Sequence, residues 1–279
     1  MDEFKIVADS SADVYEIENG EVPFASAALK IITADREYTD DKMLDVRAMV
    51  DELSKYKGKS STSCPNPEDW LAAFGQAKEV FCVTITSTLS GSYNAACIAK
   101  EIYEECYPER RVFVIDTLSA GPEMRLIIEK ICELRKKGCD FEEICQKTVE
   151  YSKGTKLLFM LKSMKNLANN GRVSHLSAKA AGVLGICVVG KASDRGELEP
   201  LNKCRGEDKA IGTILNRMKE FGFNGKKVCI AHCFEKIAAA KLRSSILQKY
   251  PDASVEMYNC GGLCSFYAEK GGMLIGFEA

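Results

Sequence analysis

The sequence predicts an α/β protein of two domains, a parallel-sheet first half followed by a mixed-sheet α/β second half. Three observations carry this. Short apolar runs rich in β-branched residues, at Phe4 to Ala8, Val80 to Ile85 and Arg111 to Ile115, alternate with segments of helical period. That is the pattern of βαβ units around a parallel sheet. Each run stops at a polar turn (Asp9-Ser10-Ser11-Ala12-Asp13, Thr86 to Ser92, Asp116-Thr117), which places polar groups outside the carboxyl ends of strands, where open α/β sheets gather ligands. Near Lys156 the rhythm shortens and a hairpin appears, so the domains are read as 1–155 and 156–279.

The elements follow in order. After the first strand, Val22 to Ile32 reads as a second extended segment, and Tyr38-Thr39-Asp40 leads into a helix from Lys42 to Tyr56. Asn66 suits a helix N-cap, Pro67 the first helical position, and Glu68 and Asp69 the positive end of the helix dipole. Trp70, Leu71 and Phe74 then share one face. Val80 to Ile85 is the buried parallel strand, and Tyr93 to Tyr107 the helix after it. Ser119 to Lys137 is a helix with Leu126, Ile127, Lys130, Ile131 and Leu134 in one stripe and Gly138 as its C-cap. Phe141 to Tyr151 turns Phe141, Ile144, Cys145 and Val149 inward.

In the second half, Leu157 to Leu161 is a strand, Ser163 to Ala168 a short helix, and Leu176 to Leu184 a helix of small residues. Ile186 to Val189 pairs with Glu197 to Lys203 across the Asp194-Arg195-Gly196 turn as an antiparallel hairpin. Asp208 to Phe221 is an amphipathic helix with Ile211, Ile214, Leu215 and Met218 inward. Strand Val228 to Ala231, helix Ile237 to Tyr250 and strands Ser254 to Tyr258 and Met273 to Phe277 complete it.

Composition excludes several classes. A net charge of −2 with both signs mixed gives no footprint for nucleic acid. No apolar run approaches the roughly 20 residues that span a bilayer. The acidic N-terminus enters a strand at once, unlike a signal peptide, so a cytoplasmic location is expected. The 13 cysteines are an odd count, scattered through apolar segments, and read as reduced core residues.

Two hydroxyl-rich turns, Ser60-Ser61-Thr62-Ser63 and Thr86 to Ser92, flank the Asn66 helix and the Val80 strand. Either alone is explained by hydroxyls bonding the backbone. Two at one sheet edge point to an anion site, built from hydroxyls and the backbone N–H groups of Ser90-Gly91-Ser92 at a helix start. No Walker loop or GxGxxG is present, nor a G-x-S-x-G elbow. Of the two histidines, His232 follows an apolar strand and reads as a hydrogen-bonded structural residue; His175 lies in a polar segment. Cys229/Cys233 and Cys260/Cys264 form two C-x3-C pairs, but zinc knuckles are tighter and a strand end would splay the first pair, so no metal is expected. Arg172, after Asn170-Gly171, suits a phosphate or an acidic partner, and equally a solvated surface position after a turn.

These residues resemble the DegV family. The resemblance rests on Ile6 to Asp13, Thr62 to Asp69, Leu89 to Ala96, Val114 to Thr117, Asn170 to Ser174 and Lys203 to Gly206, in that order over nearly the whole chain. It implies a two-domain α/β fold holding a long-chain fatty acid between the domains and no cofactor or catalysis of its own. Thr62 and Ser63 with Ser90 and Gly91 would hold the carboxylate, and Arg172 would serve a separate ATP-using fatty acid kinase subunit to which the lipid is presented, unless the protein sequesters it instead. The resemblance breaks near the C-terminus, where the family's His has Cys260 as its nearest counterpart. A different class, a small-molecule enzyme acting on an acyl or phosphate group at the same hydroxyl edge, stands as the alternative.

Overall fold

The structure is a computed structural model and describes residues 3–17, 22–174 and 185–279. The first half builds a parallel sheet from β1 (Phe4–Asp9), β2 (Phe24–Ala27), β6 (Glu79–Thr84) and β7 (Arg111–Asp116), in the order β2-β1-β6-β7. Both faces are covered, which is why these strands are apolar throughout rather than alternating. On one face Val7, Val80 and Cys82 pack with Trp70 and Phe74 of α2 (Pro67–Phe74) and Ala96 and Ala99 of α3 (Ser92–Cys106). On the other, Ile6, Phe81 and Val83 meet Met124 and Ile127 of α4 (Pro122–Lys136) and Phe141 and Ile144 of α5 (Phe141–Lys153).

The second half forms a mixed sheet from β8 (Thr155–Leu161), β9 (Ile186–Ala192), β10 (Leu198–Arg205), β11 (Lys227–His232), β12 (Ser254–Asn259) and β13 (Met273–Glu278), ordered β10-β9-β8-β13-β11-β12. The β9–β10 hairpin is antiparallel as expected, turning at Gly196 with φ 76°. Leu158, Met160, Ile230 and Ile275 face helices Glu207–Glu220 and Lys236–Lys249. Leu157, Phe159, Leu161 and Leu274 face the other way, towards Ile31, Met49, Leu167 and Phe266. Helix α4 is packed directly on this sheet: a Cβ on Gly276 would lie 2.5 Å from the Pro122 carbonyl carbon.

Caps set the helix ends. Asn66 and Asp69 form a reciprocal capping box, as do Asp140 and Glu143. Gly138, at φ 76°, ends α4 in the left-handed region that favours glycine.

Several elements differ from the sequence reading. The segment Val22 to Ile32 splits into β2 and β3 (Lys30–Ile32), and β3 joins β4 (Glu37–Thr39) and β5 (Ser61–Ser63) in a separate small sheet, order β4-β3-β5. The first hydroxyl-rich turn is therefore a strand: Thr62 pairs with Ile31. Helix α1 spans Val46–Lys55, because Asp45, not an earlier residue, accepts from Ala48 N at 2.9 Å. Helix α4 starts at Pro122, whose missing N–H suits the first turn. In α5, Thr148 takes the buried position and Val149 is exposed, since Thr148 lies seven residues, about two turns, from Phe141. The expected helix Leu176 to Leu184 lies outside the described residues.

Candidate functional site

A partly open cavity of about 280 Å³ lies between the two sheets. Leu157, Phe159, Leu161, Leu198 and Leu274 of the mixed sheet form one wall, and Leu29, Ile85 and Ala120 contribute from the first half. Its polar end holds Thr62, Ser63, Ser90, Gly91 and Arg172, the five residues that the resemblance assigned to ligand and partner, whereas Ser92 is buried and does not line it.

Each arrives by a local cause. Thr62 and Ser63 lie on β5, held by pairing to β3. Ser90 and Gly91 end the loop after β6, where Ser90 N donates to Thr86 O at 3.2 Å and Ser92 N to Ser90 Oγ at 3.3 Å. Gly91 is the N-cap of α3 and has no side-chain cap bond, leaving a helix start beside the cavity where anions are favoured. A side chain here would crowd the residue that follows β5, as a Cβ would come within 3.2 Å of Cys64 Sγ.

The polar loop after β1 sits behind the site. Asp9, Ser10 and Ser11 are fully buried and do not line the cavity. Asp9 Oδ2 accepts from Ile85 N at 2.9 Å and Ser92 Oγ at 2.7 Å, so this carboxylate braces the Ser90 loop from beneath. Burial raises its pKa, while the bonds from Ser11, Ser92 and Ile85 oppose the shift.

Arg172 is tied to backbone carbonyls. Its Nε donates to Leu89 O at 3.2 Å, a second nitrogen donates to Asn170 O, and its guanidinium lies 5.9 Å from the Tyr267 ring centre. It thereby joins the Asn170-Gly171 turn to the Ser90 loop at the rim.

Tyr267 is the site residue the sequence reading missed. Its hydroxyl lies 2.7 Å from Thr62 Oγ1, and burial raises its pKa. It belongs to the short helix Gly262–Ala268, which shows the cavity one face made of Leu263, Cys264, Tyr267 and Ala268. Two buried carboxylates from the first half anchor this helix. Asp40 accepts from Gly262 N (2.7 Å), Leu263 N (2.9 Å) and Tyr15 OH (2.6 Å), and Asp13 Oδ1 from Gly261 N (2.9 Å). Cys260 is buried and outside the cavity lining, its thiol pKa raised by burial; Cys264 is the cysteine of this segment that reaches the cavity.

The remaining candidates lie elsewhere. His232 is buried at the end of β11, away from the cavity, with burial lowering its pKa. Its Nδ1 has no hydrogen-bond partner among the described residues, so the expected bond is not observed at that nitrogen. His175 lies outside the described residues. Among the described residues, Glu129, Cys229 and Glu256 are the side chains with metal-ligand atoms close enough to meet. Their carboxylates are instead held by cations: Lys227 lies 2.5 Å from Glu129, and Arg125 3.0 Å from Glu129 and 3.2 Å from Glu256. No described helix is long and apolar enough to cross a membrane.

Fold and site together define an α/β protein with a largely apolar cavity between its two sheets and hydroxyls at one end of it. The chain belongs to the DegV family: the family model, described as an uncharacterised protein of the DegV family, matches residues 3–279. A DegV domain-containing protein of Streptococcus pneumoniae is 40% identical over 277 residues, covering 99% of each chain. Among solved structures, a DegV family protein from Eubacterium eligens loaded with heptadecanoic acid is 42% identical with a TM-score of 0.97, covering 99% of each chain. The fatty acid kinase B3 protein of Streptococcus pneumoniae, loaded with linoleic acid, is 40% identical with a TM-score of 0.97, covering 100% of this chain and 99% of that one.

Proposed function

We propose that this protein binds one long-chain fatty acid in the cavity and presents it to a separate ATP-dependent kinase subunit, with no chemistry of its own. The observation that carries the reading is a cavity with mostly apolar walls and hydroxyls at one end, in the fold of relatives whose structures hold heptadecanoic and linoleic acid. Burying an acyl chain contributes on the order of 0.8 kcal/mol per methylene, so the apolar walls supply most of the affinity. A carboxylate taken from water is costly unless donors meet it. Thr62, Ser63, Ser90 and the Gly91 region at the start of α3 are the donors assigned to it here. Neutral donors leave the carboxylate oxygen nucleophilic, as transfer of a phosphoryl group to it requires.

Arg172 is assigned to the rim, where it would meet the kinase subunit or the transferred phosphate. The chain acts as two units, 1–155 and 156–279, consistent with β8 starting the second sheet at Thr155. A cytoplasmic location fits a partner that uses ATP.

Native mass spectrometry of the purified protein, followed by denaturing extraction, tests the reading. A stoichiometric long-chain fatty acid is the expected result. A protein that stays empty after incubation with such acids would rule it out.

A further inference from the structure

Along β8, alternate side chains Thr155, Leu157, Phe159 and Leu161 share the face turned to the first half of the chain. Leu157, Phe159 and Leu161 line the main cavity; Thr155 does not. A second cleft of about 290 Å³ begins where that row ends, bordered by Asp116, Glu123, Thr155, Lys156 and Asp194. Leu157 is the one described residue that lines both spaces. It is 2% exposed, and its partner across the sheet is Gly276, which offers no side chain to share the partition.

The two ends of the row differ in chemistry. Helix α6 (Lys165–Asn169) follows Leu161 and brings Leu167 and then Arg172 to that end, with Tyr267 and its partner Thr62 beside them. Just beyond Leu157, the buried Glu123 carboxyl accepts from Thr155 Oγ1 at 2.7 Å and from Ser119 Oγ at 2.5 Å.

Given the fatty-acid reading above, on which this rests, a carboxylate at Thr62 and Ser90 sends its chain along the row towards Leu157. We propose that Leu157 is the end stop that sets the acyl length the protein accepts. Past it a terminal methyl would meet carboxylates, hydroxyls and an ammonium group, and would gain little from leaving water. The volume of the Leu157 side chain itself is thus the margin that fixes chain length.

The test is native mass spectrometry of delipidated protein offered an equimolar mixture of lauric, palmitic, stearic, arachidic and behenic acids. Wild type is compared with Leu157→Ala, Leu157→Val and Leu157→Phe. Leu157→Ala is expected to shift the bound population towards arachidic and behenic acids, by about fourfold for each methylene newly buried. Leu157→Val, the milder change that spares the core, moves it the same way by less, and Leu157→Phe moves it towards lauric and palmitic acids. The same distribution of bound acids in all folded variants would overturn the end stop while leaving the fatty-acid reading intact. Binding of none of the five acids by any of the proteins would overturn both.

Discussion

Tyr267 OH lies 2.7 Å from Thr62 Oγ1, across 205 residues of sequence, and ties the short C-terminal helix to the edge strand at the polar end of the cavity. A threonine hydroxyl has one proton and two acceptor positions. Either hydroxyl of this pair can donate; when Tyr267 does, the Thr62 proton is left for a bound carboxylate. Tyr267→Phe should therefore weaken fatty acid binding by about 0.5–1.5 kcal/mol, the net contribution of one hydrogen bond. Displacement of a fluorescent fatty acid measures this. An unchanged Kd would mean that Tyr267 only fills space.

Thr62→Ala and Ser90→Ala remove hydroxyls proposed to meet the carboxylate directly. Each should cost roughly 1–3 kcal/mol of binding, as for a bond to a charged group. Groups serving one ligand atom set couple, so the double variant should lose less than the sum. Full retention of copurified lipid in both single variants would remove the hydroxyl edge from the site.

Cys64 lines the cavity and is half-buried, whereas Cys260 is enclosed elsewhere. Bound fatty acid should slow alkylation of Cys64 and leave the exposed Cys106 unaffected, as read by mass spectrometry of the labelled peptides. Cys260→Ala should leave the Kd within about threefold, since no cavity surface changes. Equal Cys64 labelling with and without lipid would place the ligand elsewhere.

Much of the site was legible because its chemistry is local. The Asn66 capping box, the apolar run of β6 and the Ser90-Gly91 turn are written in consecutive residues, and they deliver Ser90 to the cavity. What was not legible depends on distant pairing. Ser61–Ser63 reads as a turn until Lys30–Ile32 is known to lie beside it. The helix Gly262–Ala268 is short, nearly all buried and opened by glycines, so it shows no period, and its N-terminus is fixed by Asp13 and Asp40 over 200 residues away. Tyr267 could not be found without that helix. The polar loop after β1 reads like the other two, yet only the fold reveals that Asp9 spends its carboxylate on Ile85 and Ser92.

Asp13 should contribute to the pH dependence of stability. Its Oδ1 accepts from Gly261 N, while its buried Oδ2 has no hydrogen-bond partner among the described residues. Burial, reinforced by the nearby Asp40 charge, raises its pKa well above the usual carboxylate value. Folding therefore favours the protonated form. The stabilisation is fully present below the unfolded value of about 4 and is lost as pH rises through the folded pKa. Asp13→Asn keeps an oxygen for Gly261 N, cannot ionise, and tolerates the left-handed backbone at φ 55°. Urea unfolding between about pH 5 and about pH 8 should show the variant gaining on wild type as pH rises, by up to ~1.4 kcal/mol per pH unit within the titration window. Asp9, Asp40 and Glu123 are also buried with raised pKa values, so both proteins should still weaken towards alkaline pH. The difference between the two slopes isolates Asp13, and identical slopes would mean that it is not held protonated in the fold.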